Sequence, residues 1–158
     1  MSFKHYAVPI TLGILLGILQ NTSLGIVLGI KPNSILVLAI VFSLFAESIL
    51  QYAIVLFTAV VMVQFAVFET SIASALAMVG LLVYLFREAL PGKMWLNSIG
   101  TTVLGTLAFY VLVDAGFIIQ EPGTLFREIV VNSGLAIVLY LVLEKLLTSH
   151  EKTFTYSI

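Results

Sequence analysis

The stretch Ser34–Phe68, SILVLAIVFSLFAESILQYAIVLFTAVVMVQFAVF, decides how this chain folds. It runs for 35 residues with a single charge, Glu47. A bilayer core is about 30 Å thick and takes roughly 20 helical residues. As one helix the stretch would reach about 50 Å, well past that thickness. Glu47, Ser48 and Gln51 sit near its middle. The sequence therefore predicts two short spans, Ser34–Leu50 and Tyr52–Phe68, joined by a tight turn near Glu47. Each is only 17 residues long, so either the bilayer is thin there or protein covers the ends. The apolar residues show no period-two alternation, which selects helices over the strands of a closed barrel.

Working outward, the charges cut the rest into Tyr6–Ile30, Ser71–Phe86, Leu96–Ile119 and Ile129–Leu147. Of 158 residues, 61% are hydrophobic and 9% charged, against roughly 45–50% and about 25% in soluble domains. A soluble globular domain and a disordered chain are both excluded. The expected fold is an all-α, polytopic membrane helical bundle of about six transmembrane helices, one domain over residues 1–158. Five spans remain possible. The lipid bilayer is the first expected partner. A net charge of −1 leaves no basic surface for nucleic acid. Loops are short: Lys31-Pro32-Asn33, Glu69-Thr70, Arg87–Lys93 with Pro91-Gly92, and Gln120–Thr124 with Pro122-Gly123. The Pro-Gly pairs read as turn punctuation. Lys4 before Tyr6–Leu19 has the outline of a secretion signal, but Gln20-Asn21-Thr22-Ser23 offers no cleavage site, so a retained first helix is expected. With six spans, Lys4, Arg87, Lys93, Lys145 and Lys152 share one side, against Lys31 and Arg127. That bias puts both termini in the cytoplasm; five spans would move only the amino terminus outside.

Gly13, Gly17, Gly25 and Gly29 form a four-residue ladder with Asn21 at the missing rung. Such ladders let another helix approach closely, either from this chain or from a docking membrane protein. Gln20-Asn21-Thr22-Ser23 interrupts the first stretch. Either these side chains face protein or water, or the helix ends near Gln20 and a short segment, Leu24–Ile30, returns. Glu47, Gln64, Asp114 and Asn132 are the deepest polar candidates, and an ionisable group at bilayer depth usually has a reason. Glu47 and Asp114 lie near span ends, within reach of the interface; Gln64 and Asn132 suit interhelical hydrogen bonds. Glu128 and Asn132 lie one turn apart on one face. The polar groups look scattered over different depths, so no small-molecule ligand is expected. The two histidines, His5 and His150, are terminal and there is no cysteine. No Ser/His/Asp set, zinc motif or phosphate loop is present. No cofactor, metal or enzymatic activity is expected.

Two segments carry a family resemblance. Leu19-Gln20-Asn21-Thr22-Ser23-Leu24 leads through Gly29-Ile30-Lys31-Pro32-Asn33 into Ser34-Ile35-Leu36-Val37-Leu38-Ala39-Ile40-Val41. Near the end, Leu125-Phe126-Arg127-Glu128 precedes Asn132, Ala136 and Leu139–Leu146. Together they resemble MreD, the rod-shape-determining membrane protein family. One departure is Leu56–Phe68, which has no glycine and carries Gln64 near the position where the family usually has an acid. The resemblance implies a non-enzymatic scaffold in lateral peptidoglycan synthesis of rod-shaped bacteria. It implies a cytoplasmic-membrane location beside an MreC-like protein, with MreB, RodA and its transpeptidase partner in the same assembly. It also implies a fold similar to the substrate-binding subunits of energy-coupling-factor vitamin transporters, which makes such a subunit the alternative function.

Overall fold

The computed structural model describes residues 4–22, 26–27, 29–66 and 70–148. Among them are six α-helices and no strand: α1 Lys4–Asn21, α2 Ser34–Ser43, α3 Ile49–Ala66, α4 Thr70–Phe86, α5 Met94–Gln120 and α6 Pro122–Thr148. Three of them are long and apolar enough to cross a membrane: α4 with its 3-10 extension to Ala89, α5 and α6.

The centre of the bundle is α2. Its ten residues are all buried, and it packs against each of the other five helices. Ten residues rise only about 15 Å, half a bilayer core. The expected 17-residue span Ser34–Leu50 is therefore corrected. Helix α2 stops at Ser43, because the Phe42 carbonyl accepts from both Phe45 N and Ala46 N, at 3.0 Å each, and closes a turn. It reads as continuous with its neighbours because its apolar residues face protein on every side, which composition alone does not distinguish from facing lipid.

The turn at Glu47 is where the sequence puts it, but α3 starts at Ile49, three residues before the expected Tyr52. A variant of the capping box, closed on the residue before the cap, sets that start. Ser48 Oγ accepts from Gln51 N at 3.3 Å, and Gln51 Oε1 accepts from Glu47 N at 2.8 Å. The same buried Gln51 ties α3 to α1. Pro9 inside α1 has no N–H, which frees the carbonyl of His5 one turn earlier, and Gln51 Nε2 donates to it at 2.8 Å.

The first apolar stretch is not one helix to Ile30. Helix α1 ends at Asn21, where Thr22 N and Oγ1 both turn back onto the Leu19 carbonyl, at 3.2 and 3.0 Å. Val27 and Ile30 then exchange two backbone hydrogen bonds around Gly29, whose φ is +74°. Gly29 is a turn residue, not a rung of a helix ladder, and nothing lies within 4 Å of where its Cβ would be. Gly25 lies outside the described residues. Gly13 and Gly17 are buried and face the inside of this chain. A Cβ on Gly13 would meet Leu38 at 3.5 Å, and one on Gly17 would meet Met62 at 3.0 Å.

Helix α6 begins seven residues before the expected Ile129. Pro122 occupies its first turn, where a missing N–H has no cost, and Glu121 alone separates α5 from α6. Only Pro91-Gly92 behaves as turn punctuation, with Gly92 at φ +93°. Helix α5 is kinked at Asp114, at φ −156°, ψ 85°.

The helices alternate in direction, so the bundle has two ends. One end gathers His5, the turn after α2, Arg87 and Lys93. Tyr140 of α6 packs on Phe45 there, ring centroids 5.4 Å apart and planes tilted by 42°. The other end gathers Gln20, residues 29–33 and Glu121. The outer surface is strongly apolar: Phe57, Leu85, Leu104 and Phe126 are each about two-thirds exposed, and Ile119 is 83% exposed. A surface of this kind suits hydrocarbon and not water.

Candidate functional site

A helix leaves its first N–H groups and its last carbonyls without intrahelical partners. Because α2 is short and enclosed, its ends fall inside the protein, where an unpaired backbone group costs about 1–3 kcal/mol. A polar cluster forms at each of those two ends.

At the carboxyl-terminal end, Arg87 Nη1 donates to the Ser43 carbonyl at 2.9 Å and to the Ala46 carbonyl. Its guanidinium lies 4.1 Å from the centre of the Tyr84 ring, which stacks on Tyr52. A cation here also meets the negative end of the α2 dipole.

At the amino-terminal end, Asn33 caps α2 by accepting from Leu36 N at 3.3 Å. Gln20, from the last turn of α1, accepts from Ile35 N at 3.1 Å and points its Nε2 at Asn33 Oδ1, 3.5 Å away. Asn33 N donates to Asn132 Oδ1 at 3.1 Å, which brings in α6. Asn132 Nδ2 donates to Thr106 Oγ1 at 3.3 Å and faces Glu128 Oε1 at 3.5 Å. Tyr110 OH donates to Glu128 Oε2 at 2.5 Å. Four helices thus meet in one hydrogen-bonded chain. The Tyr110 ring is held by Phe117, stacked at 4.6 Å between centroids.

Beside this chain lies a cleft of 360 Å³ lined by Gln20, Asn21, Lys31, Pro32, Asn33, Val63, Ile72, Phe109, Tyr110 and Glu128. Lys31 and Asn21 are exposed at its rim, and Glu128 is buried at 6% exposure. The reading that the polar groups are scattered over different depths is corrected: Gln20, Asn33, Tyr110, Glu128 and Asn132 converge. The loop residues Lys31, Pro32 and Asn33 form part of the same wall.

Of the deep polar candidates, only Asn132 belongs to this cluster. Glu47 is exposed and pairs with His5, Oε1 to Nδ1, at 2.7 Å. Asp114 is exposed at the kink of α5, where its Oδ1 accepts from Phe117 N at 3.2 Å and caps the helix beyond the break. Gln64 is half-buried and makes no side-chain hydrogen bond among the described residues. Sequence reasoning missed Arg87, Tyr110 and Thr106 as members of either cluster. Arg87 carried only an orientation signal, and nothing local marks the other two. The capping box Ser48-x-x-Gln51 was a findable signal. Among the described residues no three acidic or histidine side chains gather as metal ligands.

No family profile, no curated protein and no solved structure matches this chain.

Proposed function

We propose that this chain is a multi-pass protein of a bacterial cytoplasmic membrane, of the MreD type, and serves as a non-enzymatic scaffold of the cell-elongation machinery beside an MreC-like partner. One observation carries the reading. The two segments that resemble the family lie far apart in sequence, yet their polar residues meet. Gln20 and Asn33 come from the first segment, Glu128 and Asn132 from the second, and the Asn33–Asn132 hydrogen bond joins residues 99 apart. A signature made of residues that complete one another's hydrogen bonds is a structural unit, which is how a scaffold family keeps its shape. The apolar outer surface supports placement in lipid. Lys4, Arg87, Lys93 and Lys145 lie towards one end of the bundle and Lys31 and Arg127 towards the other, which supports a cytoplasmic location for the first end.

The test is complementation. The chain is expressed in a rod-shaped bacterium depleted of its own MreD. Restored rods, with an MreC-like protein co-purifying, are the expected result; round cells at normal membrane levels of the chain refute the reading. The second reading, a substrate-binding subunit of an energy-coupling-factor transporter, is favoured by the cleft beside Glu128. Co-purification with the energising module of such a transporter, and a vitamin bound at one per chain, would replace the first reading with the second.

A further inference from the structure

Glu128 has an incomplete set of partners. An ionised carboxylate has about four acceptor positions. Here Tyr110 OH fills one, and the Asn132 amide approaches a second at 3.5 Å. Among the described residues no Lys, Arg or His nitrogen lies within 4 Å of a Glu128 oxygen. Taking a carboxylate out of water costs several kcal/mol unless a cation and hydrogen bonds compensate, and buried charges are as a rule paired. Glu128 is also part of the wall of an open cleft, so a cation from outside has a route to it.

The rest of the wall defines what kind of cation. The rings of Phe109 and Tyr110 line the cleft, and aromatic faces attract ammonium groups. Gln20 contributes an amide oxygen with a second lone pair beyond its bond to Ile35 N. At the rim stands the opposite charge, exposed Lys31. A buried anion and a rim cation in one cleft are complementary to a ligand with the reverse polarity. We propose that the cleft binds a small zwitterionic amine, its ammonium group donating to Glu128 and its anionic group facing Lys31.

The volume of 360 Å³ falls within the usual range for ligand pockets, about 300–1,000 Å³. It has room for an amino acid or for the phosphoethanolamine headgroup of a lipid. Both present the same ammonium-and-anion chemistry. The inference does not rest on the scaffold reading: a chain that fails to restore rod shape can still bind, and the reverse.

The experiment uses the full chain in nanodiscs of phosphatidylcholine. One arm adds phosphatidylethanolamine to the bilayer; the other adds soluble phosphoethanolamine or glycine. Native mass spectrometry reads the bound species, and thermal melting reads stabilisation. One aminophospholipid per chain, or one soluble zwitterion, supports the proposal, and the arm that binds names the source. Glu128→Gln keeps the shape and one acceptor oxygen but removes the charge. Charge-assisted hydrogen bonds are about twice as strong as neutral ones, so binding is expected to weaken about tenfold or more. Lys31 is exposed, so Lys31→Met folds whatever Glu128→Gln does, and it should weaken binding by a similar factor. If Lys31 is instead the internal partner of Glu128, Lys31→Met will lower the melting temperature and leave binding unchanged, which overturns the proposal. Absence of any bound zwitterion overturns it as well. So does equal retention of phosphatidylcholine, whose trimethylammonium has no N–H to donate.

Discussion

Replacing Asn132 with leucine tests the hydrogen-bonded chain that closes α2. Asn132 is fully buried, and its side chain serves Asn33 N, Thr106 Oγ1 and Glu128 Oε1 at 3.1, 3.3 and 3.5 Å. Leucine keeps the branch at Cγ but is bulkier than asparagine, so any overpacking at this buried position adds to the loss. Interhelical side-chain hydrogen bonds in membrane proteins average about 0.6 kcal/mol, which gives roughly 2 kcal/mol for the three. The Asn33 N–H adds a further term. It belongs to the backbone at a buried helix end and has no second acceptor, so stranding it costs about 1–3 kcal/mol. The expected loss is therefore about 3–5 kcal/mol, or a fall in melting temperature of roughly 10–15 °C for a chain of this size. Thr106→Val removes one long bond and should cost under about 1 kcal/mol. The two residues share one bond, so the double mutant should lose less than the two single losses added together. The assay is unfolding in mixed detergent micelles, followed by circular dichroism. Asn132→Leu melting within about 1 kcal/mol of the wild type would refute the reasoning, because α2 would then not depend on α6 for its amino-terminal end.

Three further outcomes are expected. Gly17→Leu should lower the folded yield in detergent, since a Cβ there already meets Met62 at 3.0 Å, whereas Gly134→Ala, with open space at its Cβ, should stabilise α6 by about 0.5–1 kcal/mol. Arg87→Met should cost about 2–4 kcal/mol by stranding the Ser43 and Ala46 carbonyls, and Arg87→Lys, a single-point donor, should recover only part of that in a melting assay. Single cysteines at Asn21 or Lys31 should react with a membrane-impermeant thiol reagent applied outside cells, and one at Lys93 should not; the reverse pattern would invert the orientation.

The helices were legible wherever a helix faces one apolar solvent along its length. The spans of α4 and α5 fall within two residues of the sequence reading, because charges or Pro-Gly mark their ends. Helix α2 was not legible at its true length. Burial among five helices and exposure to lipid select the same residues, so Ser34–Ser43 merged with the turn after it. The start of α6 was misread for a different reason: Pro122 both breaks one helix and opens the next. The polar cluster was half legible. Gln20 and Asn132 stood out as expensive residues in apolar surroundings, but their shared purpose depends on contacts across 99 residues. The Pro9–Gln51 link is similar, since a missing N–H on one helix is visible while its beneficiary on another is not.

The bond between Asn33 and Asn132 also sets a waiting time. Ribosomes add about 5–20 residues per second, so the amide that closes the amino-terminal end of α2 is made roughly 5–20 s after the residue it serves. Throughout that interval Ser34–Ser43 is a ten-residue apolar helix, too short to cross the bilayer by itself and lacking its last neighbour. The early half of this protein therefore cannot complete its hydrogen bonds as it is made; it does so only once the sixth helix has been added. In a chain stopped anywhere before Asn132, Gln20 and Asn33 can still cap Ile35 N and Leu36 N, but the Asn33 N–H lacks its acceptor.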